Sequence, residues 1–187
     1  MGKRLKSMEQ PPIRIRYGTA EDADLLAELG ARTFSDTFAK DNTLEDMRAY
    51  LAANFSLQKQ EAELSDPEAV FFIAEAGAIA IGYAKLHMGK APDGLNGKHP
   101  VEIVRLYAVK DWLGQGVGAA LMQGCLDLAR RRGNDVIWLG VWEHNPRAIA
   151  FYRKCGFVKF GAHVFRLGSD AQTDFLMQRT VAQTGIS

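Results

Sequence analysis

Nowhere in the 187-residue chain does an apolar run approach the ~20 residues that a membrane-crossing helix needs. Lys3, Arg4 and Lys6 open the sequence without an apolar stretch of signal-peptide length behind them. Cysteine is scarce. Cys125 and Cys155 form no CxxC pair, and His87, His99, His144 and His163 are scattered, a spacing that argues against a zinc site. Two isolated thiols beside apolar residues read as reduced core cysteines of a cytoplasmic protein. Charge of one sign is lacking too: 23 Lys and Arg face 22 Asp and Glu, a net charge of +1. A balance so even leaves no footprint for nucleic acid. What is present is a globular composition, 47% hydrophobic and 24% charged. The length suits one domain that buries roughly two-thirds to three-quarters of its unfolded surface. Residues 1–11 read as a loose tail and 12–187 as a single domain, with no repeat and no linker.

Periodicity predicts the elements. Ile13 to Arg16 alternates as a strand. Thr19 with Asp22 is a helix-start pair before the apolar run Ala23 to Leu29, and Thr43 with Asp46 repeats it before a helix reaching Ala53. A short helix from Ser56 to Leu64 ends at Asp66-Pro67. Val70–Ala76 and Ile79–Leu86 read as a hairpin around Gly77, Gly89 to Pro100 as a loop, and Val101–Val109 as a buried central strand. A long helix follows to about Arg132, with Gly118, Leu121, Met122, Cys125, Leu128 and Ala129 on one face, stopped by Gly133-Asn134. Val136–Trp142 is a strand, and Asn145-Pro146 starts a helix that Gly156 ends. Phe157–Val164 and Thr173–Arg179 close the chain around a turn at Gly168 to Asp170. This order predicts an α/β (α+β) domain: one mixed sheet of about seven strands with helices on both faces.

The densest chemical signal is the passage from the central strand into the long helix, Leu106 to Ala119. Gly114, Gly116 and Gly118 allow backbone N–H groups to converge without Cβ interference, and the helix start adds unpaired donors and the positive end of its dipole. That combination suits a pyrophosphate, although a tight strand-to-helix turn can require glycine for geometry alone. No Gly-Lys-Ser or Gly-Lys-Thr ending is present, so the run is not a P-loop. Read as a dinucleotide fingerprint, the run comes too late in the chain, and Asp135 precedes its strand instead of ending it.

A second signal is the helix after Asn145. Ala148, Phe151, Tyr152 and Cys155 share one of its faces. Small Ala148 admits a ligand chain, Phe151 walls it and Tyr152 offers a phenol; an aromatic pair at this spacing is equally what a plain core would show.

The glycine-rich turn, a strand, and then Asn-x-x-Ala-x-x-Phe-Tyr-x-x-x-Gly-Phe from Asn145 to Phe157, in this order and spacing, resemble the GCN5-related N-acetyltransferase (GNAT) superfamily over nearly the whole chain. Thr33–Phe38 with Asn42 and Glu45, Ile137–Glu143, and Gly161–His163 with Gln172–Asp174 are similar to the bacterial spermine/spermidine acetyltransferase branch. The resemblance implies a mostly antiparallel sheet splayed between the strands at 101–109 and 136–142. It also implies acetyl-coenzyme A as cosubstrate, no metal, and direct transfer to a small amine, a polyamine such as spermidine or spermine. Tyr107, Ala108, Val109, the run Leu113, Gly114, Gln115, Gly116, Val117, Gly118 and Ala119, and Asn145, Ala148, Phe151 and Tyr152 would hold the cofactor. Tyr152 would be the acid for the departing thiolate and Glu102 a candidate base. Phe34, Asp36, Glu45 and Trp142 would meet the acceptor, with Asp41 and Asp46 nearby and His163 as a second basic group. Leu113 stands where the family usually has Arg or Gln, so a side-chain donor is missing there. Three matters stay open: another acceptor (a peptide N-terminus, a lysine, an aminoglycoside), a coenzyme-A-binding regulatory module without catalysis, and a homodimer.

Overall fold

The computed structural model describes residues 11–89, 91–95, 97–167 and 170–182. The tail expected at 1–11 therefore lies outside the described residues except for its last residue, as do Gly168 and Ser169 of the final turn. Seven strands form one sheet: β1 (Ile13–Tyr17), β2 (Ala69–Ala76), β3 (Ile79–His87), β4 (Pro100–Ala108), β5 (Val136–Trp142), β6 (Val158–Leu167) and β7 (Asp170–Thr180), in the order β1-β2-β3-β4-β5-β7-β6. All neighbours are antiparallel except β4 and β5. These two pair in parallel only at Pro100–Val136, Val101–Ile137 and Glu102–Trp138, and beyond Glu102 they part. The expected splay is thus a wedge with Glu102 and Trp138 at its vertex.

The helices are α1 (Ala23–Phe38), α2 (Leu44–Asn54), α3 (Leu57–Leu64), α4 (Val117–Arg131) and α5 (Pro146–Lys154). Their starts follow the capping logic. Thr43 accepts the Asp46 N–H, Ser56 the Lys59 N–H and Asn145 the Ala148 N–H. Asp22 receives the Thr19 N–H at 2.8 Å while also taking both terminal nitrogens of Arg16. Among the described residues, no helix is long and apolar enough to cross a membrane.

Two layers cover the sheet. On one face α4 and α5 bury Leu121, Met122, Cys125, Ile149 and Tyr152 against Ile137, Leu139 and Val141 of β5. On the other, α1 sets Leu26 and Leu29 on Phe71, Ile73 and Tyr83. A bulge in β4 between its partners Leu86–Ile103 and Lys85–Arg105 leaves Val104 as the extra residue. Register partners point to the same side, so Glu102, Arg105 and Tyr107 share the face of Tyr83, Lys85 and His87 toward α1 and α3. Alternation likewise turns Trp138, Gly140 and Trp142 of β5 to that side.

Candidate active site

The wedge opens into a groove of about 1340 Å³ that spans both faces of the sheet. Its α4/α5 side is built by the glycine turn. After β4, a 3-10 turn at Lys110–Trp112 reverses the chain, and Gly114 (φ 81°) and Gly116 (φ 93°) take left-handed backbone that an L side chain rarely adopts. Gly116 is the cap of α4 and has no side chain to satisfy the helix start. The first helical bond runs from the Ala120 N–H to the Gly116 carbonyl at 2.9 Å, so the N–H groups of Val117, Gly118 and Ala119 have no acceptor within the helix. A Cβ on Gly118 would sit 3.4 Å from the Phe151 ring, in van der Waals contact, so Gly118 and Phe151 face each other across the groove's α4/α5 side. Ala148, Asn145, Phe151 and Tyr152 line the same side.

Leu113 is 40% exposed beside this turn. The side-chain charge it cannot supply comes from elsewhere: Lys110, Arg147 and Lys154 line the groove. Sequence spacing does not reveal these three cations, because they converge only once α5 is packed beside α4.

Several predicted residues take other parts. The Val109 N–H donates to the Ile81 carbonyl at 2.9 Å, and Val109 is buried under α1. In an antiparallel ladder this alternates, so Tyr107, opposite Tyr83, also spends its N–H on β3, and Ala108 turns its N–H to the wedge. Of the strand segment Tyr107 to Val109, only Ala108 keeps a donor for a ligand. Val117 is buried in the main core, and the Gln115 amide turns back to the Asp111 carbonyl, so neither side chain lines the groove. Glu45 is exposed on the first turn of α2 and lies off the groove; Asp41 faces Lys40 at 3.7 Å, and Asp46 takes part in the Thr43 cap. Of the four carboxylates expected around this loop, Asp36 alone reaches the groove.

On the α1–α3 side the walls are rings. Phe34 stacks on Tyr50 at 4.5 Å, touches Phe38 at 4.5 Å and meets Tyr107 edge-on at 6.5 Å. Phe38 reaches Trp142 at 5.7 Å, and Tyr50 reaches Phe165 at 5.9 Å. Phe38, Tyr50 and Phe165 escape a sequence reading because they come from three separate elements. Glu63 of α3 is held by Arg105 at 2.7 Å and Lys85 at 3.0 Å. Burial alone would raise its carboxyl, but the two cations outweigh it and keep Glu63 ionised.

Glu102 stands at the vertex with no hydrogen bond among the described residues, and burial raises its carboxyl above the usual range. Asp174 of β7 is raised for the same reason, with His163 Nε2 3.9 Å away. Tyr152 is 8% exposed and packs against Phe151 and Phe157. Burial lifts its phenol far above the usual value, and its hydroxyl has no hydrogen-bond partner among the described residues. The groove therefore joins a donor-rich end with Lys110, Arg147 and Lys154 to an aromatic end, with a protonated phenol on one face and an ionisable carboxyl at the vertex. At the aromatic end Lys40, Lys59 and Arg105 are answered by Asp41 and Glu63, while Asp36, Glu102 and Asp174 have no Lys or Arg within 4 Å among the described residues.

The family model described as the acetyltransferase (GNAT) family matches residues 32–157. An uncharacterized N-acetyltransferase from the pepI 3′ region of Lactobacillus delbrueckii subsp. lactis is 34% identical over 169 residues, 90% of this chain and 98% of its own. The N-alpha-acetyltransferase RimI of Mycobacterium tuberculosis is 30% identical over 166 residues, covering 87% of this chain and 90% of its own. Among solved structures, the PaiA N-acetyltransferase of Thermoplasma acidophilum in complex with coenzyme A shares the fold at a TM-score of 0.72. It is 22% identical and covers 90% of this chain and 99% of that one.

Proposed function

Because the chain belongs to the acetyltransferase (GNAT) family and is an acetyl-CoA-dependent N-acetyltransferase, we propose that its acceptor is a small polycationic amine of the polyamine class. The observation that carries this reading is the acidic, ring-walled end of the groove. Asp36, Glu102 and Asp174 line it with no Lys or Arg within 4 Å among the described residues; Lys40, Lys59 and Arg105, which line the same end, are answered by Asp41 and Glu63. Carboxylates in partly buried, apolar surroundings are costly unless a cation joins them, and rings add cation–π attraction.

The donor end suits coenzyme A. Phosphates would lie against the free N–H groups at the start of α4, and Lys110, Arg147 and Lys154 would supply countercharge. The acyl arm would enter the wedge from the α4/α5 side and the amine from the α1–α3 side, so the two meet where the strands part. Holding them there is the largest contribution open to such a site, ~7–11 kcal/mol for well-oriented reactants. Glu102 takes a proton from the incoming ammonium, directly or through water. The freed nitrogen attacks the thioester carbon, whose oxygen gathers negative charge within reach of the Ala108 N–H, and the now cationic nitrogen sheds its surplus proton to water. As the C–S bond breaks, the Tyr152 hydroxyl gives its proton to sulfur.

The experiment is an acetylation screen of the purified protein, reading thiol release with spermidine, spermine, simple monoamines, aminoglycosides and peptides. Turnover of spermidine or spermine above the rest is expected. Turnover of peptides alone would overturn the polyamine assignment in favour of an α-amine acceptor, the class named in the RimI relative. No turnover with any amine would point to a regulatory coenzyme-A-binding module.

A further inference from the structure

On the acceptor face, Trp142 of β5, Asp174 of β7 and His163 of β6 are register partners and form one row across three strands. The Asp174 side chain is 17% exposed. His163 Nε2, at 3.9 Å, is beyond hydrogen-bond length. The most deeply buried carboxylates are answered by a cation, Glu63 by Arg105 and Lys85, Asp22 by Arg16; Asp174, like Glu102, is not. Asp174 has no Lys or Arg partner among the described residues, and burial raises its carboxyl. Rings stand around it: Trp142 in its own row, Phe38 against Trp142, and Phe165 one row along β6. The floor is open because residue 140 is glycine. A Cβ there would lie 3.4 Å from Asp174 Oδ2 and 3.8 Å from the His163 ring.

We propose that Asp174, with Trp142 and Phe38 as walls and Gly140 as floor, seats a second, non-reacting cationic nitrogen of the acceptor. The inference rests on the polyamine reading and goes beyond it by placing the two nitrogens. The reacting one lies at Glu102, opposite Trp138, and the anchoring one lies four residues along β5, opposite Trp142. Along β5 that is roughly 13 Å, and because Glu102 and Asp174 flank β5 on opposite sides, two strand spacings of about 4.8 Å bring their backbones to roughly 16 Å apart, so the pair selects acceptors by the spacing of their charges.

The test compares kcat/KM for spermidine with that for n-butylamine in the parent, in Asp174→Asn and in Gly140→Ala. Losing a charge-assisted contact should lower the spermidine-to-butylamine ratio about tenfold or more in Asp174→Asn, mostly through KM. Gly140→Ala, whose methyl comes into van der Waals contact with Asp174 Oδ2 and takes up the floor where a ligand nitrogen would sit, should lower it in the same direction and serves alone if the first variant does not fold. If the parent prefers spermidine and both variants keep the ratio within about twofold, the seat is elsewhere and the polyamine reading stands. If the parent shows no preference for spermidine over butylamine, the polyamine reading fails and takes this inference with it.

Discussion

At the scale of single residues, the sharpest question is Tyr152. Its hydroxyl has no hydrogen-bond partner among the described residues, so Tyr152→Phe removes a proton donor and almost no packing. If the hydroxyl protonates sulfur, kcat should fall by ~10²–10⁴ with little change in the KM for acetyl-coenzyme A. Steady-state kinetics with an unchanged melting temperature checks this; a few-fold change in kcat would leave Tyr152 a core residue. Glu102 carries the opposite signature. Burial raises its folded pKa above the unfolded value, so the native state binds the proton more tightly. Its ionised form therefore costs stability at neutral pH, and that cost disappears as pH falls through the folded pKa. Glu102→Gln should raise or hold the melting temperature at neutral pH, by a margin that narrows in acid, while kcat drops. In the parent, activity should decline as pH falls through the raised carboxyl range, and a pH–rate profile of both proteins reads this. Loss of activity without that difference in profile would assign the base to another group.

At the scale of elements, the turn into α4 is the part most open to test. Gly116→Asp adds negative charge beside the free N–H groups but also strains a φ of 93°. Gly116→Asn carries nearly the same strain, ~1–2 kcal/mol or less for this residue type, without the charge. Calorimetry should show Gly116→Asp losing far more affinity for coenzyme A than Gly116→Asn; equal losses would make the glycine structural only. The same scale shows what was legible in the sequence. Strand β5 and the starts of α2, α3 and α5 were readable because caps such as Thr43, Ser56 and Asn145 act locally. The second half of α1 was not, since Thr33 and Thr37 break the apolar pattern. In the folded helix both threonine hydroxyls donate to carbonyls four residues back, those of Leu29 and Thr33. Strands β6 and β7 run longer than their apolar stretches, because Val158 and Val164 face outward and mask the alternation. In the site, the glycine turn and the Asn145 helix were legible as continuous motifs. Glu45 was misplaced because the face α2 would present could not be read from its cap. The Asp174–His163 row and the Glu63–Arg105–Lys85 group depend on register between strands, which no local pattern encodes.

For the molecule as a whole, the groove divides its charge. Lys110, Arg147 and Lys154 line the α4/α5 end without a carboxylate partner within 4 Å among the described residues. At the α1–α3 end Lys40, Lys59 and Arg105 are answered by Asp41 and Glu63 and leave Asp36, Glu102 and Asp174 without a Lys or Arg within 4 Å among the described residues, within a chain whose net charge is only +1. A polycation is thus drawn to one mouth of the groove, an attraction that salt screens. Raising ionic strength from 0.1 M to 1 M shortens the Debye length from ~10 Å to ~3 Å. The KM for spermidine should rise steeply over that range while the KM for n-butylamine changes little, and initial rates at several salt concentrations check it. A salt response shared equally by both amines would place the effect on the donor instead.

Three residue pairs are all that join β4 to β5 across the middle of the sheet. Mechanically the protein is two half-sheets sharing a short hinge, each with a raw edge turned toward the other. An unpaired edge invites a strand, and here the invitation faces inward, where another protein cannot reach it but an extended, amide-bearing chain can. The backbone of Leu106 and Ala108 then exchanges its hydrogens with solvent when the cleft is empty and is shielded when it is filled. A donor seated there as proposed would act as a removable eighth strand and bridge the two half-sheets only while it is bound.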